Sequence, residues 1–144
     1  MEKFEQQKTV LKAGASTWKK TILVVDDNAD LLDLSKTMLE LDDYEVFTAL
    51  GAKEAFAILR EANNFDLILL DLKMGKTSGP RFLEELEQEI PEIIERVPVV
   101  FLTAMDRIPD SKAVGFIRKP FEMNKFLAAV QGFIENGSAH LRLN

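Results

Sequence analysis

Short apolar segments alternate with segments of helical periodicity along most of the chain. Four apolar segments are rich in Val, Ile and Leu, and they cover residues 21–25, 66–70, 97–102 and 113–117. Apolar runs bounded by turn residues are typical of strands buried on both faces, as in a parallel sheet. Residues 44–49, whose pattern is weaker, predict a fifth strand.

Amphipathic helices are predicted between these strands. Two apolar stripes recur every four residues, and they consist of Phe82, Leu86 and Ile90 and of Phe126, Val130 and Ile134. This spacing places each set on one face of a helix. The segments 29–41 and 52–62 also predict helices. Five strand–helix units in succession predict an α/β fold with a parallel sheet between two helical layers.

Composition and charge narrow the class of protein. The chain has 144 residues, 47% of them hydrophobic and 29% charged, which suits one soluble globular domain. It contains no cysteine, so disulfide and thiolate chemistry are excluded. The net charge of −6 argues against a nucleic-acid surface, and no apolar run is long enough to insert into a membrane. We therefore expect a cytoplasmic protein.

The two ends lie outside the repeating pattern. Phe4, Leu11 and Trp18 are seven residues apart, which is compatible with a flexible tail, with a strap over the domain or with a docking segment for a partner. Gly137 predicts a helix stop followed by a short tail. The expected division is an extension of residues 1–20, a domain of residues 21–136 and a tail of residues 137–144.

Polar residues follow four of the predicted strands directly. They are Asp26-Asp27-Asn28 after the first, Asp71 after the third, Thr103-Ala104 after the fourth and Lys119-Pro120 after the fifth. In open α/β sheets, ligands bind outside the carboxyl ends of the strands. Three carboxylates, a hydroxyl and an ammonium group are therefore expected at one edge of the sheet.

Each of these residues has a simpler interpretation when it is taken alone. An Asp or Asn before a helix is often only an N-cap, and one of Asp26-Asp27-Asn28 is expected to cap the helix that follows. Asp71 alone suits a turn, Thr103 a capping hydroxyl and Lys119 a solvated surface charge. Their shared position at the strand ends favours a common site.

The expected chemistry follows from the charges. Three neighbouring carboxylates repel each other, so one of them takes a proton or a cation neutralises them. Mg²⁺ prefers oxygen ligands and uses one or two carboxylates together with phosphate oxygens. A carboxylate also acts as a nucleophile toward phosphorus, and phosphoryl transfer needs mainly positioning and positive charge.

These segments resemble, in order, the receiver domains of bacterial response regulators over about residues 20–135. The matching pieces are Ile22 to Asn28, Asp66 to Met74 with Gly79, Phe101 to Ala104, and Phe116 to Phe121. The resemblance implies a flavodoxin-like (βα)5 three-layer sandwich with a five-stranded parallel sheet of order 2-1-3-4-5.

The resemblance also implies the roles of individual residues. Asp71 is the phosphoacceptor. Asp27, Asp71 and the main-chain carbonyl of Lys73 bind Mg²⁺ or Mn²⁺, and Asp26 assists through water. Lys119, before a possible cis peptide at Pro120, pairs with the phosphoryl group.

A conformational switch is implied as well. Thr103 bonds a phosphoryl oxygen and moves inward, and Phe116, which lacks the hydroxyl of the Tyr often found there, follows it. The phosphoryl donor is a sensor histidine kinase or a phosphotransfer protein, and the output is a downstream protein target. The chain catalyses only its own phosphorylation and dephosphorylation. The single histidine, His140, lacks the context of a kinase donor.

Three features depart from the family pattern. Gly75 replaces the usual Pro, which is expected to loosen the loop after Asp71. Met105 cannot orient a water molecule, so a long-lived phosphoryl group is expected. Residues 106–113 are few and contain a proline, so we expect a short or irregular fourth helix and either a monomer or a weak dimer.

Two other functions compete with this interpretation, and a third is disfavoured. The main alternative is an interaction module with the receiver fold that works without phosphorylation. A more remote one is a haloacid-dehalogenase-like phosphatase, but that family usually has Asp-x-Asp after its first strand, and here Asn28 follows Asp26-Asp27. A flavodoxin-type electron carrier is disfavoured, because the acidic Asp26-Asp27 replaces a phosphate-binding loop.

Overall fold

Five strands form a parallel sheet at the centre of the protein in its computed structural model, which describes residues 19–62, 64–119 and 122–143, with side chains up to residue 136. The strands are β1 (Thr21–Val25), β2 (Glu45–Ala49), β3 (Leu67–Asp71), β6 (Val99–Thr103) and β7 (Gly115–Arg118). They lie in the order β2-β1-β3-β6-β7 and all four neighbouring pairs are parallel. This is the predicted order 2-1-3-4-5 when only the sheet strands are counted.

Helices cover both faces of this sheet. They are α1 (Ala29–Leu41), α2 (Ala52–Glu61), α3 (Gly79–Glu89), α4 (Pro91–Arg96) and α5 (Met123–Leu143). Alternate residues of β1 point to opposite faces. Leu23 therefore packs in the core beneath α2 and α3, whereas Val24 packs in the core beneath α1 and α5. The three-layer α/β sandwich is confirmed.

The predicted apolar stripes face these cores. Phe82 and Leu86 are buried on the side of α3, and Phe126, Val130 and Ile134 are buried on the side of α5. Helix α1 and strand β1 have the predicted bounds 29–41 and 21–25, and the other four strands of the sheet differ from the predicted ones by one or two residues at their ends. The short helix α4, which begins at Pro91, was not anticipated.

The connection between β6 and β7 contains no helix. Residues 104–114 are irregular throughout, so only four of the five strands are followed by a helix. Pro109 lacks an N–H and restricts the residue before it, which prevents regular helical turns in so short a segment. Of the two predicted forms of the fourth helix, short or irregular, the structure has the irregular one.

The final helix is longer than the sequence predicts. The predicted stop at Gly137 is wrong, because α5 continues to Leu143. A glycine inside a helix costs about 1 kcal/mol relative to alanine, which weakens a helix without ending it. The other predictions for the ends, which concern Phe4, Leu11, Trp18 and the side chain of His140, lie outside the described residues, as does the peptide bond at Pro120.

A small hairpin follows Asp71, where the sequence predicts a loosened loop. Strands β4 (Lys73–Met74) and β5 (Thr77–Ser78) are antiparallel, and Gly75 and Lys76 form the turn between them. Gly75 has a φ of +52°, which a proline cannot adopt. Gly75 therefore closes a paired hairpin, and the expected loosening of this loop relative to a proline stays a prediction.

Candidate functional site

Asp26 and Asn28 have different tasks at the end of β1. The main-chain N–H of Asp26 donates to the carbonyl of Ala49 at 3.1 Å, which fixes Asp26 beside the end of β2. One carboxylate oxygen of Asp26 accepts from the N–H of Asn28 at 3.0 Å. Asn28 itself caps α1 by accepting from the N–H of Leu31 at 3.1 Å. Capping of α1 thus accounts for Asn28 and not for the two acids.

Lys119 joins the ends of β1 and β3. Its Nζ lies 3.1 Å from Oδ2 of Asp26 and 3.2 Å from Oδ1 of Asp71. Both carboxylates are buried, with Asp26 1% and Asp71 7% exposed. The main-chain N–H of Lys119 donates to the carbonyl of Thr103 at 2.7 Å, which holds the lysine at the end of β7. The interpretation of Lys119 as a solvated surface charge is therefore wrong.

The three acidic side chains meet at this edge of the sheet. Asp26, Asp27 and Asp71 each offer a carboxylate oxygen, and these oxygens all lie within 4.8 Å of one another. Asp27 is exposed, whereas the other two are buried, so the cluster is accessible from one side. Three carboxylates and one ammonium group leave an excess of negative charge.

The electrostatic consequence appears at Asp71. Burial raises the pKa of the Asp71 carboxyl, and the neighbouring charge of Asp26 raises it further. Lys119 and, to a smaller extent, the nearby main chain of Lys73 lower this pKa without cancelling the rise. The cluster therefore favours additional positive charge, and its oxygen donors are those that a hard divalent cation prefers.

Thr103 and Phe116 occupy the two strands beyond β3. Thr103 is 4% exposed at the end of β6, and its Oγ1 accepts from the N–H of Met105 at 3.0 Å. Phe116 lies on β7 opposite Phe101 of β6 and packs partly buried against the core beneath α2 and α3. The Thr103 hydroxyl therefore supports a local turn and caps no helix, because none follows β6 in the described residues 104–114.

The structure adds a further residue to the site. A Cβ on Gly79 would lie 2.7 Å from the main-chain oxygen of Asp71 and 2.8 Å from Cε1 of Phe101, so only glycine fits there. The sequence Ser78-Gly79-Pro80 does signal a helix start, and Ser78 caps α3 by accepting from the N–H of Arg81. Gly79 is part of the family pattern in the sequence, but its close approach to Asp71 arises from the tertiary fold.

Comparisons with known proteins identify the family. The response regulator receiver domain family matches residues 22–131. The chain is 33% identical over 120 residues to the nisin biosynthesis regulatory protein NisR of Lactococcus lactis, covering 79% of this chain and 50% of NisR. It is 27% identical over 119 residues to the response regulator SaeR of Staphylococcus aureus, covering 78% and 50%. The chain thus spans about half the length of these curated relatives.

A solved structure agrees with this match. The chemotaxis protein CheY4 of Vibrio cholerae has a TM-score of 0.70 and 28% sequence identity, and the alignment covers 78% of this chain and 97% of CheY4. In the described part of the chain no helix is both long and apolar enough to span a membrane. The family match covers more than half of the chain, and the fold and the acidic cluster agree with it. The protein belongs to the response regulator receiver domain family, the signalling modules of two-component systems.

Proposed function

We propose that this receiver domain accepts a phosphoryl group on Asp71 in a reaction that depends on Mg²⁺ or Mn²⁺. The observation that carries the proposal is the cluster of Asp26, Asp27 and Asp71, with Lys119 Nζ 3.2 Å from Oδ1 of Asp71. The carboxylates of Asp26, Asp27 and Asp71 and the main-chain carbonyl of Lys73 would hold the cation. The bound cation supplies positive charge for the carboxylates and for the phosphoryl oxygens.

The chain's own residues have distinct tasks in this reaction. A carboxylate oxygen of Asp71 attacks phosphorus, an O–P bond forms, and the bond to the leaving group breaks with its electron pair. Lys119 favours the ionised, nucleophilic form of Asp71 and then pairs with a phosphoryl oxygen. Water later cleaves the O–P bond, and Met105 near the site makes this hydrolysis slow.

The signal passes on through Thr103 and Phe116. The Thr103 hydroxyl leaves the N–H of Met105 and bonds a phosphoryl oxygen, and Phe116 moves into the space that Thr103 vacates. The phosphoryl group shifts the population only by the difference between its interactions in the two conformations. We place this switch in a cytoplasmic domain of residues 21–136, with a histidine kinase or phosphotransfer protein as donor and a downstream protein as target.

Labelling with a small phosphodonor tests the proposal. The protein is incubated with acetyl phosphate and Mg²⁺, and its intact mass is measured. We expect one added phosphoryl group that requires Mg²⁺ and is lost in Asp71→Asn. Asp43→Asn is the matched control, because Asp43 is exposed and its φ of 71° suits asparagine.

The opposite result would support the alternative function. If Mg²⁺ binds and an authentic receiver is labelled in parallel, but this protein is not, the chain is an interaction module that works without phosphorylation.

A further inference from the structure

The hairpin of β4 and β5 lies directly against the acidic cluster. Its first residue is Lys73, which follows Asp71 by two positions. Lys73 pairs with Ser78 and Met74 with Thr77. The backbone of Lys73 is thus held by strand pairing beside the phosphoacceptor.

Two buried residues fasten the hairpin to the domain. The side chain of Met74 is 4% exposed and packs in the core beneath α2 and α3. At the other end of the hairpin, the N–H of Gly79 donates to the carbonyl of Leu72 at 2.8 Å. The hairpin is therefore attached at both ends, and its remaining freedom lies in the turn.

Gly75 determines whether this turn can form. Its φ of +52° is positive, whereas Lys76 has no positive φ. A φ in this range lies in the left-handed region, which favours glycine and is costly for most other residues. A Cβ at residue 75 would lie 3.4 Å from Oδ2 of Asp27, so the turn also borders the exposed carboxylate of the cluster.

We propose that Gly75 is a positioning residue for the divalent cation, because the hairpin that it closes fixes the main chain of Lys73 and one side of Asp27. This inference rests on the proposed function. Where the hairpin is open, the cluster lacks the placed carbonyl of Lys73, and the apparent affinity falls with the fraction of molecules in which the hairpin is closed.

Substitutions at Gly75 separate turn conformation from side-chain contact. Alanine and asparagine place the same Cβ beside Asp27, but asparagine tolerates a positive φ far better than alanine. Gly51→Ala is the matched control, because Gly51 lies at the same edge of the sheet, has no positive φ and leaves open space for a Cβ.

The experiment measures Mg²⁺ affinity by titration calorimetry and, in metal-free protein, amide hydrogen exchange of Lys73 to Ser78. We expect Gly75→Ala to bind Mg²⁺ about tenfold more weakly and to exchange faster in the hairpin. Gly75→Asn should stay within about threefold of the original protein, and Gly51→Ala should be unchanged.

Other outcomes overturn distinct parts of the account. If the original protein binds Mg²⁺ and the alanine variant binds it equally well, the positioning role of Gly75 is wrong while the proposed function stands. If asparagine weakens binding as much as alanine does, the contact with Asp27 matters and the turn does not. If the original protein binds no Mg²⁺, the proposed function fails as well.

Discussion

The chain segments that follow the neighbouring strands β3 and β6 both border the site, and different contacts hold them in place. The connection after β3 forms the β4–β5 hairpin, with backbone pairing and the buried side chain of Met74. The connection after β6, residues 104–114, has neither helix nor strand, and Ile108 and Ala113 pack only partly buried against the core.

Salt bridges add little to the second connection. Asp106 pairs with Arg118 and Lys112 with Glu87, and all four side chains are at least 45% exposed. Exposed ion pairs contribute only about 0–1 kcal/mol each. The comparison indicates that the first connection is held more firmly than the second, which is the difference that the proposed movement of Thr103 requires.

The largest expected difference between the connections is in the free energy of unfolding that the apolar side chain of each one contributes. Met74→Ala removes a buried side chain and should lower the free energy of unfolding by about 3 kcal/mol. Ile108→Ala removes a partly buried one and should cost about 1 kcal/mol. Urea unfolding of both variants checks this order, and equal losses would contradict the distinction between a fixed and a weakly held connection.

Asp71 lies at the end of β3, directly before the first connection. The negative charge of its carboxylate should lower the free energy of unfolding. Because burial and Asp26 raise its pKa, Asp71→Asn should increase the free energy of unfolding by about 1 kcal/mol at pH 7 without Mg²⁺. Because the pKa of Asp71 is raised in the folded protein, the folded state is favoured while this carboxyl is protonated. That contribution to stability is lost as pH rises through the folded-state pKa.

The pH dependence gives the sign of this effect. The advantage of Asp71→Asn should be small below about pH 3, where the carboxyl is protonated in both folded and unfolded protein, and it should grow as pH rises above the unfolded-state pKa of about 3.9. Mg²⁺ should reduce the advantage, since it neutralises the original cluster. Thermal unfolding of both proteins from acid to neutral pH tests this, and a constant difference would contradict it.

Thr103→Ala should affect the second connection selectively. It removes the hydroxyl that accepts from the N–H of Met105 at 3.0 Å, and a neutral hydrogen bond contributes about 1 kcal/mol. Hydrogen exchange should accelerate in residues 105–114 and stay unchanged in the β4–β5 hairpin. Equal acceleration in both connections would show that they are coupled in the resting protein.

The smallest effect is expected at the exposed ion pair. Asp106→Asn removes one charge of the pair with Arg118 and should change the free energy of unfolding by no more than about 0.5 kcal/mol. The difference should vanish in 1 M salt, where exposed charges are screened. A loss above about 2 kcal/mol would mean that this pair fastens the second connection.

The sequence predicted those parts of the fold that depend on local apolar pattern. The run 21–25 and the helix 29–41 have the observed bounds because each combines one uninterrupted pattern with a clear stop. The acidic cluster was also predictable, because parallel strands bring Asp26 and Asp71 to the same edge of the sheet.

Features that depend on tertiary contacts were not predictable in the same way. A glycine at position 75 suits an unpaired loop or a tight hairpin turn, and only the pairing of β4 with β5 in the fold decides between them. The helix stop expected at Gly137 was wrong because a glycine signals a helix end only weakly. The tight packing of Gly79 on Asp71 depends on how α3 approaches β3.

The central claim is that Asp71 carries the phosphoryl group, and chemical trapping tests it most directly. Protein treated with acetyl phosphate is reduced with borohydride, which converts an aspartyl phosphate into homoserine, and peptides are mapped by mass spectrometry. We predict homoserine at position 71 only when both Mg²⁺ and phosphodonor are present. Homoserine at position 26 or 27 instead, or none at all with Mg²⁺ bound, would contradict the claim.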